Sequence, residues 1–122
     1  MPHIQIIGSA RLEQLAERFE ALHIRYGEAI LKTTAFYLNP RDRMALVQAL
    51  VAEPRINRKF YVLLVEKHDG LMVRLDPLTD PEKTDGVKRL LAAVADWIRR
   101  LSPESTYGTT NLQGSIVMEQ RS

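Results

Sequence analysis

The 122 residues, of which 45% are hydrophobic and 26% are charged, have the size and composition of one globular domain that can bury a core. The net charge is only +2, because 17 Lys and Arg nearly balance 15 Asp and Glu, so the molecule as a whole has no field that attracts nucleic acid or a membrane surface. The absence of cysteine excludes disulfides, thiolate catalysis and cysteine-bound metals, and no apolar run approaches the roughly 20 residues that span a bilayer. The chain also starts without signal-peptide features, so we expect one soluble cytoplasmic domain over residues 1–122 with no membrane contact.

The first predicted elements are a strand, a surface helix and a second strand. The isoleucine-rich run His3–Ile7 ends at Gly8 and predicts a short strand. A helix is predicted over residues 9–23, with Ser9 as its N-terminal cap and apolar residues at three- and four-residue steps. β-branched and aromatic residues from Ile30 to Leu38 then favour a strand.

A second helix is predicted from Pro40 to about Ala52. Asn39 can accept an amide hydrogen bond as the N-cap, and proline at the first helical position loses no needed donor. Pro54 would then end the helix. The apolar stripe of this helix would consist of Met44, Val47, Leu50 and Val51.

A β-hairpin is predicted around His68, Asp69 and Gly70. A three-residue loop, with Gly70 in the left-handed conformation, would leave Glu66 and Arg74 together on the opposite face from the apolar side chains. A two-residue Asp69-Gly70 loop would instead set Glu66 among apolar residues, so we prefer the longer loop. The apolar face would then consist of Leu63, Val65, Leu71, Val73 and Leu75.

The last predicted elements are a helix, a loop and a short strand. The helix begins with Asp80 as its cap and Pro81 as its first residue, and it ends before Pro103. The polar stretch 102–113 predicts a loop, and Ser115–Glu119 predicts a final short strand. The apolar stripe of the helix consists of Val87, Leu90, Leu91, Val94, Trp97, Ile98 and Leu101.

These elements together predict an α+β fold in a single domain. The order is β-α-β-α-β-β-α-β, with a mixed sheet of about five strands packed by three helices. Helices between the first strands allow parallel crossovers, whereas the tight turn of the hairpin requires an antiparallel pair.

The one local charge asymmetry lies between residues 41 and 59, where the balance is +3 and the rest of the chain carries −1. The basic residues of this region form two groups at opposite ends of the predicted second helix, about one helix length apart. Cations in the first turn of a helix oppose its dipole unless solvent or a bound anion compensates, so this region is the candidate site for an anionic ligand or RNA. A solvated margin that protects the strands is the alternative. The candidate residues are Arg41, Arg43, Arg55, Arg58 and Lys59.

Other polar residues give weaker signals. His3, His23 and His68 lack the spacing of a metal site, and the Gly8-Ser9 turn lacks a phosphate-loop motif. A group of acids lies near the start of the last helix, but its spacing differs from that of a calcium loop: Asp76, Asp80, Glu82 and Asp85. A second polar group is suited to line a pocket and consists of Tyr107, Thr109, Thr110 and Asn111.

These observations favour a small, non-catalytic binding or regulatory domain that acts through protein contacts. We expect a homodimer or a protein partner, because strand edges commonly find a symmetric partner. No cofactor or metal site is indicated, and no catalytic residue is identified. The alternatives are an RNA or anionic-ligand binder that uses residues 41–59, and an enzyme whose site is assembled from distant segments.

Overall fold

The computed structural model describes residues 2–110, which form one antiparallel sheet and two helices. The seven strands lie in the order β2-β3-β4-β5-β6-β1-β7, and the sheet curls into a half-barrel. The long helix α2 packs in its hollow and contacts β1, β3, β4 and β6. In chain order the elements are β1 (His3–Ile7), α1 (Leu12–Glu17), β2 (His23–Tyr26), β3 (Ala29–Asn39), β4 (Met44–Glu53), β5 (Ile56–Lys67), β6 (Gly70–Leu75), α2 (Asp85–Leu101) and β7 (Thr106–Thr110).

The predicted architecture, a mixed sheet of about five strands packed by three helices, is wrong. The described residues form seven strands, every neighbouring pair of strands is antiparallel, and there are two helices. The coarser expectation, a domain that combines helices with a β-sheet, is confirmed.

The largest error is the helix predicted over residues 40–52, which is strand β4. Burial alternates along this strand, as it does when one face packs on a core and the other points away. Asn39 and Pro40 open a turn instead of a helix: the Asn39 side chain accepts a hydrogen bond from the Asp42 amide at 3.2 Å, and Arg43 has a φ of 54°. The buried residues of β4 are Ala45, Val47, Ala49 and Val51.

The first helix is shorter than predicted, and a strand follows it. α1 ends at Glu17 instead of residue 23, and Ser9 does not cap it, because its hydroxyl is bonded to the Glu104 carboxylate. Strand β2, which was not predicted, begins at the last residue of the predicted helix, and its residues His23–Tyr26 pair with β3 around a turn at Gly27. The predicted strands at His3–Ile7 and Ile30–Leu38 are confirmed as β1 and β3.

The β5–β6 hairpin has a register that neither predicted loop produces. Lys67 pairs with Gly70 and Glu66 pairs with Leu71, so the loop contains only His68 and Asp69. The apolar prediction holds for β6, where Leu71, Val73 and Leu75 are buried, but it is shifted by one residue on β5. The buried residues of β5 are Phe60, Val62, Leu64 and Glu66.

Glu66 is therefore inside the half-barrel and not beside Arg74 on the opposite face. The amide of Leu12, at the start of α1, donates to its Oε2 at 3.0 Å, and the guanidinium of Arg43 donates to its Oε1. A carboxylate without such donors would be expelled from an apolar site, so these two contacts explain the register.

Gly70 lies where β1 passes close to β6. Its neighbour across the pair is Ile7, and a Cβ atom on residue 70 would lie 1.8 Å from the carbonyl oxygen of Ile6. Glycine is required here by this close approach and by its φ of 155°, and not by a loop conformation.

The long helix is confirmed, although it begins later than predicted. Its N-cap is Thr84, whose side chain accepts from the Val87 amide at 3.2 Å. Trp97 is buried, with 5% exposure, and makes edge contacts with the rings of Phe19 and Phe36 at centroid distances of 5.7 and 6.3 Å. The stripe predicted from periodicity is the face that fills the half-barrel.

The polar stretch predicted as a loop over residues 102–113 contains strand β7. Thr106–Thr110 pairs with β1, with Tyr107 opposite Ile6. The strand predicted at Ser115–Glu119 lies outside the described residues. Within residues 2–110, neither helix has the length and apolar character needed to cross a bilayer.

Candidate functional site

The five basic residues of the predicted binding region lie near opposite ends of β4. Arg41 and Arg43 are in the β3–β4 turn, whereas Arg55 is in the β4–β5 turn and Arg58 and Lys59 follow on β5. Since β4 has 10 residues, the two turns are separated by about 34 Å of strand. The structure thus keeps Arg41 and Arg43 apart from the other three, and it places Arg58 and Lys59, which are successive residues of β5, on opposite faces of the sheet.

Two of these cations take part in contacts that hold the fold together. Arg43 binds the buried carboxylate of Glu66. Arg58, whose side chain is only 16% exposed, pairs with Glu53 at 2.9 Å and with Glu82 at 3.5 Å. The same oxygen of Glu53 accepts the Thr84 hydroxyl at 3.1 Å, so this network ties the β4–β5 hairpin to the start of α2.

The histidines and the acidic group are dispersed over the structure. His3 is on β1, His23 begins β2 at one edge of the sheet, and His68 is in the β5–β6 turn. Among the acids, Asp80 pairs with Lys83 and Glu82 with Arg58. Among residues 2–110, no group of three or more His, Asp or Glu is arranged to hold a metal ion.

The polar group predicted to line a pocket is spread along β7 and its contacts. The ring of Tyr107 lies under the Arg99 guanidinium at 4.7 Å, and the Thr110 hydroxyl donates to the His3 carbonyl at 2.9 Å. Thr109 lies between them in β7, and Asn111 lies outside the described residues.

A polar cleft of about 310 Å³ lies between α1 and the end of α2. The hydroxyls of Ser9 and Ser102 donate to the Glu104 carboxylate in this cleft, the latter at 2.7 Å. These hydrogen bonds, the Ser9 bond first, lower the pKa of Glu104 to about 2. Both serine hydroxyls of the cleft are thus engaged with one carboxylate.

The most unusual surface is the outer face of the sheet, on the side away from α2. Antiparallel sheets that pack on one side usually alternate apolar residues inside with polar residues outside. Here two successive cross-strand rows are largely apolar on the outside as well. One row runs Tyr37, Leu46, Leu63 and the other runs Met44, Val65, Met72.

Apolar side chains from these rows and from the following loop form an open groove of about 320 Å³. Leu78, which lines the groove from the loop after β6, is 94% exposed, and Tyr37 is 54% exposed. The ring of Tyr37 lies 6.5 Å from that of Tyr61 on the same face. We call the groove residues Tyr37, Met44, Leu46, Leu63 and Leu78 the outer patch.

Lysines lie beside the outer patch on the same face. Lys32 on β3 and Lys59 on β5 flank Leu50 on β4, because the register pairs each of them with that residue. Within residues 2–110, no carboxylate forms an ion pair with either lysine. The two Cα atoms are about 10 Å apart, two strand spacings across the sheet.

Sequence reasoning identified Lys59 but missed the outer patch. The patch depends on β4 being a strand, and that segment was predicted to be a helix. The signal that was available is the run of apolar residues on both faces of Met44–Val51 and Tyr61–Val65, which a one-sided surface strand would not have. Comparisons with protein-family models, with curated proteins and with solved structures found no match to this chain.

Proposed function

We propose that this protein is a non-catalytic protein-binding domain and that the outer patch is its binding surface. The observation that carries the proposal is the convergence of five apolar side chains on an open groove, one of which, Leu78, is almost fully exposed. Contiguous apolar surface of this kind is unfavourable in water and marks interaction sites when it persists in a folded domain.

The shape of the outer patch suits contact with another protein chain. The groove is open and is lined by residues of three β-strands and by two residues of the loop after β6, so it can accept apolar side chains of a partner without rearrangement of the sheet. Tyrosine is also a residue type that contributes strongly to protein interfaces, and Tyr37 stands at the edge of the groove.

The other predicted functions have less support. For the RNA or anionic-ligand alternative, Arg43 and Arg58 are engaged with Glu66 and Glu53, which leaves fewer cations for phosphate. For the enzyme alternative, the polar cleft contains a carboxylate of low basicity at Glu104. The predicted homodimer remains a prediction, and a second copy of this chain is one protein partner that the outer patch could hold.

A peptide selection tests the proposal without a known partner. Peptides are selected from a random library on the wild-type protein, and their affinities are measured by fluorescence anisotropy. We expect Leu78→Gln to weaken the selected peptides by about tenfold, the loss that corresponds to one buried leucine side chain. Leu78 is so exposed that this change should leave the free energy of unfolding unaltered.

The matched control is Ile56→Gln. Ile56 is also an exposed aliphatic residue, at 45%, but it begins β5 beside the β4–β5 turn and does not line the groove. It should leave the affinities unchanged. Failure to select any peptide, or peptides that respond to Ile56→Gln and not to Leu78→Gln, would refute the outer patch as a binding surface.

A further inference from the structure

Resting on the proposed function, we infer that the outer patch binds an acidic, amphipathic segment of a different protein. Lys32 and Lys59 place positive charge beside the outer patch. The outer face offers apolar contact in one area and positive charge in a neighbouring one, so the partner must offer apolar side chains and carboxylates in the matching places.

The outward positions of the sheet carry cations and no carboxylates. On β1 and β3 to β6, all of which are described, the outward charged residues include Lys32, Lys59 and Arg74, and none is Asp or Glu. Asp76 does line the groove from the loop after β6, but its side chain accepts the Leu78 amide at 3.4 Å and serves the loop. The strand positions of this face are therefore apolar with a positive margin, and Asp76 adds one negative charge on the loop side of the groove.

The register gives the spacing that the partner must match. Lys59 and Leu63 are on the same strand and the same face, four residues apart, which is about 13 Å. That distance corresponds to about nine residues of a helix or four residues of an extended segment. A segment whose acidic residues lie that far from its apolar residues would cover the outer patch and pair with both lysines.

A second copy of this chain is a poorer occupant. When the outer face packs against its own copy, each protomer brings Lys32 and Lys59, and the outward strand positions supply no carboxylate to pair with them. Charges that lose water without gaining a partner oppose association. RNA is also poorer, because phosphates would pair with the lysines but would leave the aliphatic side chains of Met44, Leu46 and Leu63 against a charged backbone.

Two labelled probe peptides of equal length test the inference: the Leu-Glu peptide has leucines in one half and glutamates in the other, with the two groups about four residues apart, and the Leu-Lys peptide has lysine in place of each glutamate. Binding is measured by anisotropy at low ionic strength. We expect the Leu-Glu peptide to bind at least about fivefold more tightly, as expected for two exposed ion pairs. The preference should shrink at about 1 M salt, where the screening length is about 3 Å.

Reversing the charge of the two lysines tests whether they cause the preference for the Leu-Glu peptide. Lys32→Glu combined with Lys59→Glu should reverse the preference, so that the Leu-Lys peptide binds more tightly. Arg18→Glu combined with Arg55→Glu is the matched control, because it makes the same change in net charge at two exposed positions, after α1 and in the β4–β5 turn, that do not line the groove. This control should still prefer the Leu-Glu peptide.

The outcomes separate this inference from the proposed function. Equal binding of both probes that is lost with Leu78→Gln overturns the acidic partner and leaves the protein-binding surface in place. A wild-type dimer in sedimentation equilibrium that Leu78→Gln dissociates overturns it in favour of a second copy. Displacement of the Leu-Glu peptide by a single-stranded RNA of higher affinity, dependent on Lys32 and Lys59, overturns it in favour of nucleic acid.

Discussion

Replacing Gly70 with alanine tests the position of β1 beside β6. A Cβ atom on residue 70 would lie 1.8 Å from the Ile6 carbonyl oxygen and 3.0 Å from the Ile7 Cα, and contacts shorter than 3.0 Å are essentially never found for real Cβ atoms. Since the side chain of alanine cannot turn away, β1 must move by more than 1 Å. Hydrogen bonds at the end of the β1–β6 ladder would then be lost.

We expect Gly70→Ala to lower the free energy of unfolding by about 3 to 5 kcal/mol, the sum of overpacking and about two lost backbone hydrogen bonds. Urea denaturation followed by the fluorescence of the single tryptophan measures it, with the midpoint and slope fitted together. Gly27→Ala is the matched control, because Gly27 also has a positive φ, of 60°, but a Cβ there would meet no atom within 4 Å.

The control should lose only about 1 kcal/mol, the strain of alanine in the left-handed region. The difference between the two variants therefore isolates the contact with β1 from the backbone conformation. If Gly70→Ala were no more destabilising than Gly27→Ala, the β1–β6 register and the reason for glycine at this position would both be wrong.

Further predictions concern the core and two carboxylates. Trp97→Ala should lower the free energy of unfolding by about 3 to 5 kcal/mol in denaturant, and a loss below about 1 kcal/mol would contradict its burial. Glu66→Gln removes the charge that binds Arg43 but keeps an acceptor for the α1 amide, so we expect a loss of about 1 to 3 kcal/mol by the same assay; an unchanged midpoint would be inconsistent with the buried pair. For Glu104, NMR titration should show that Ser102→Ala raises the pKa from about 2 toward 4.5. Because folding depresses this pKa, the stability it contributes is present above pH 4.5 and is lost as pH falls toward 2, and a pKa unmoved by the substitution would contradict the hydrogen bond as its cause.

The two long segments show why part of the fold was predictable. In α2 the apolar residues lie on one side at helical spacing over four turns, a pattern that a strand cannot produce. In β4 apolar residues occupy both faces, so a helical stripe can be selected from them by chance. The residues of β4 are also mostly Ala, Leu and Met, which favour helices when they are isolated from a sheet.

Glu66 shows a different limit of sequence reasoning. The sequence analysis placed the Glu66 carboxylate on the polar face of the hairpin, because burying a carboxylate without hydrogen-bond partners is unfavourable. That reasoning is correct for an isolated pair of strands. Its partners come from the β3–β4 turn, at Arg43, and from the start of α1, at Leu12. Neither is close to Glu66 in sequence, so the true register needed tertiary information.

The same limit applies to the outer patch. Tyr37, Leu46 and Leu63 come from different strands and become neighbours only through the pairing of β3, β4 and β5. Lys59 was identified by its charge, but its relation to Lys32 across Leu50 depends on the same pairing. A local charge count finds cations and cannot show which of them share a face.

The strand order also has a consequence for the synthesis of the chain. From β2 to β6 each strand pairs with the next one along the sequence, so this part can assemble hairpin by hairpin as it leaves the ribosome. β1 emerges first, but its neighbours are β6 and β7, so its pairing must wait until residues 70–75 and 106–110 have been made. Ile4 and Ile6, which are fully buried in the folded domain, therefore remain without their native contacts while β2 to β5 are being made, and they are residues that a nascent-chain chaperone would protect.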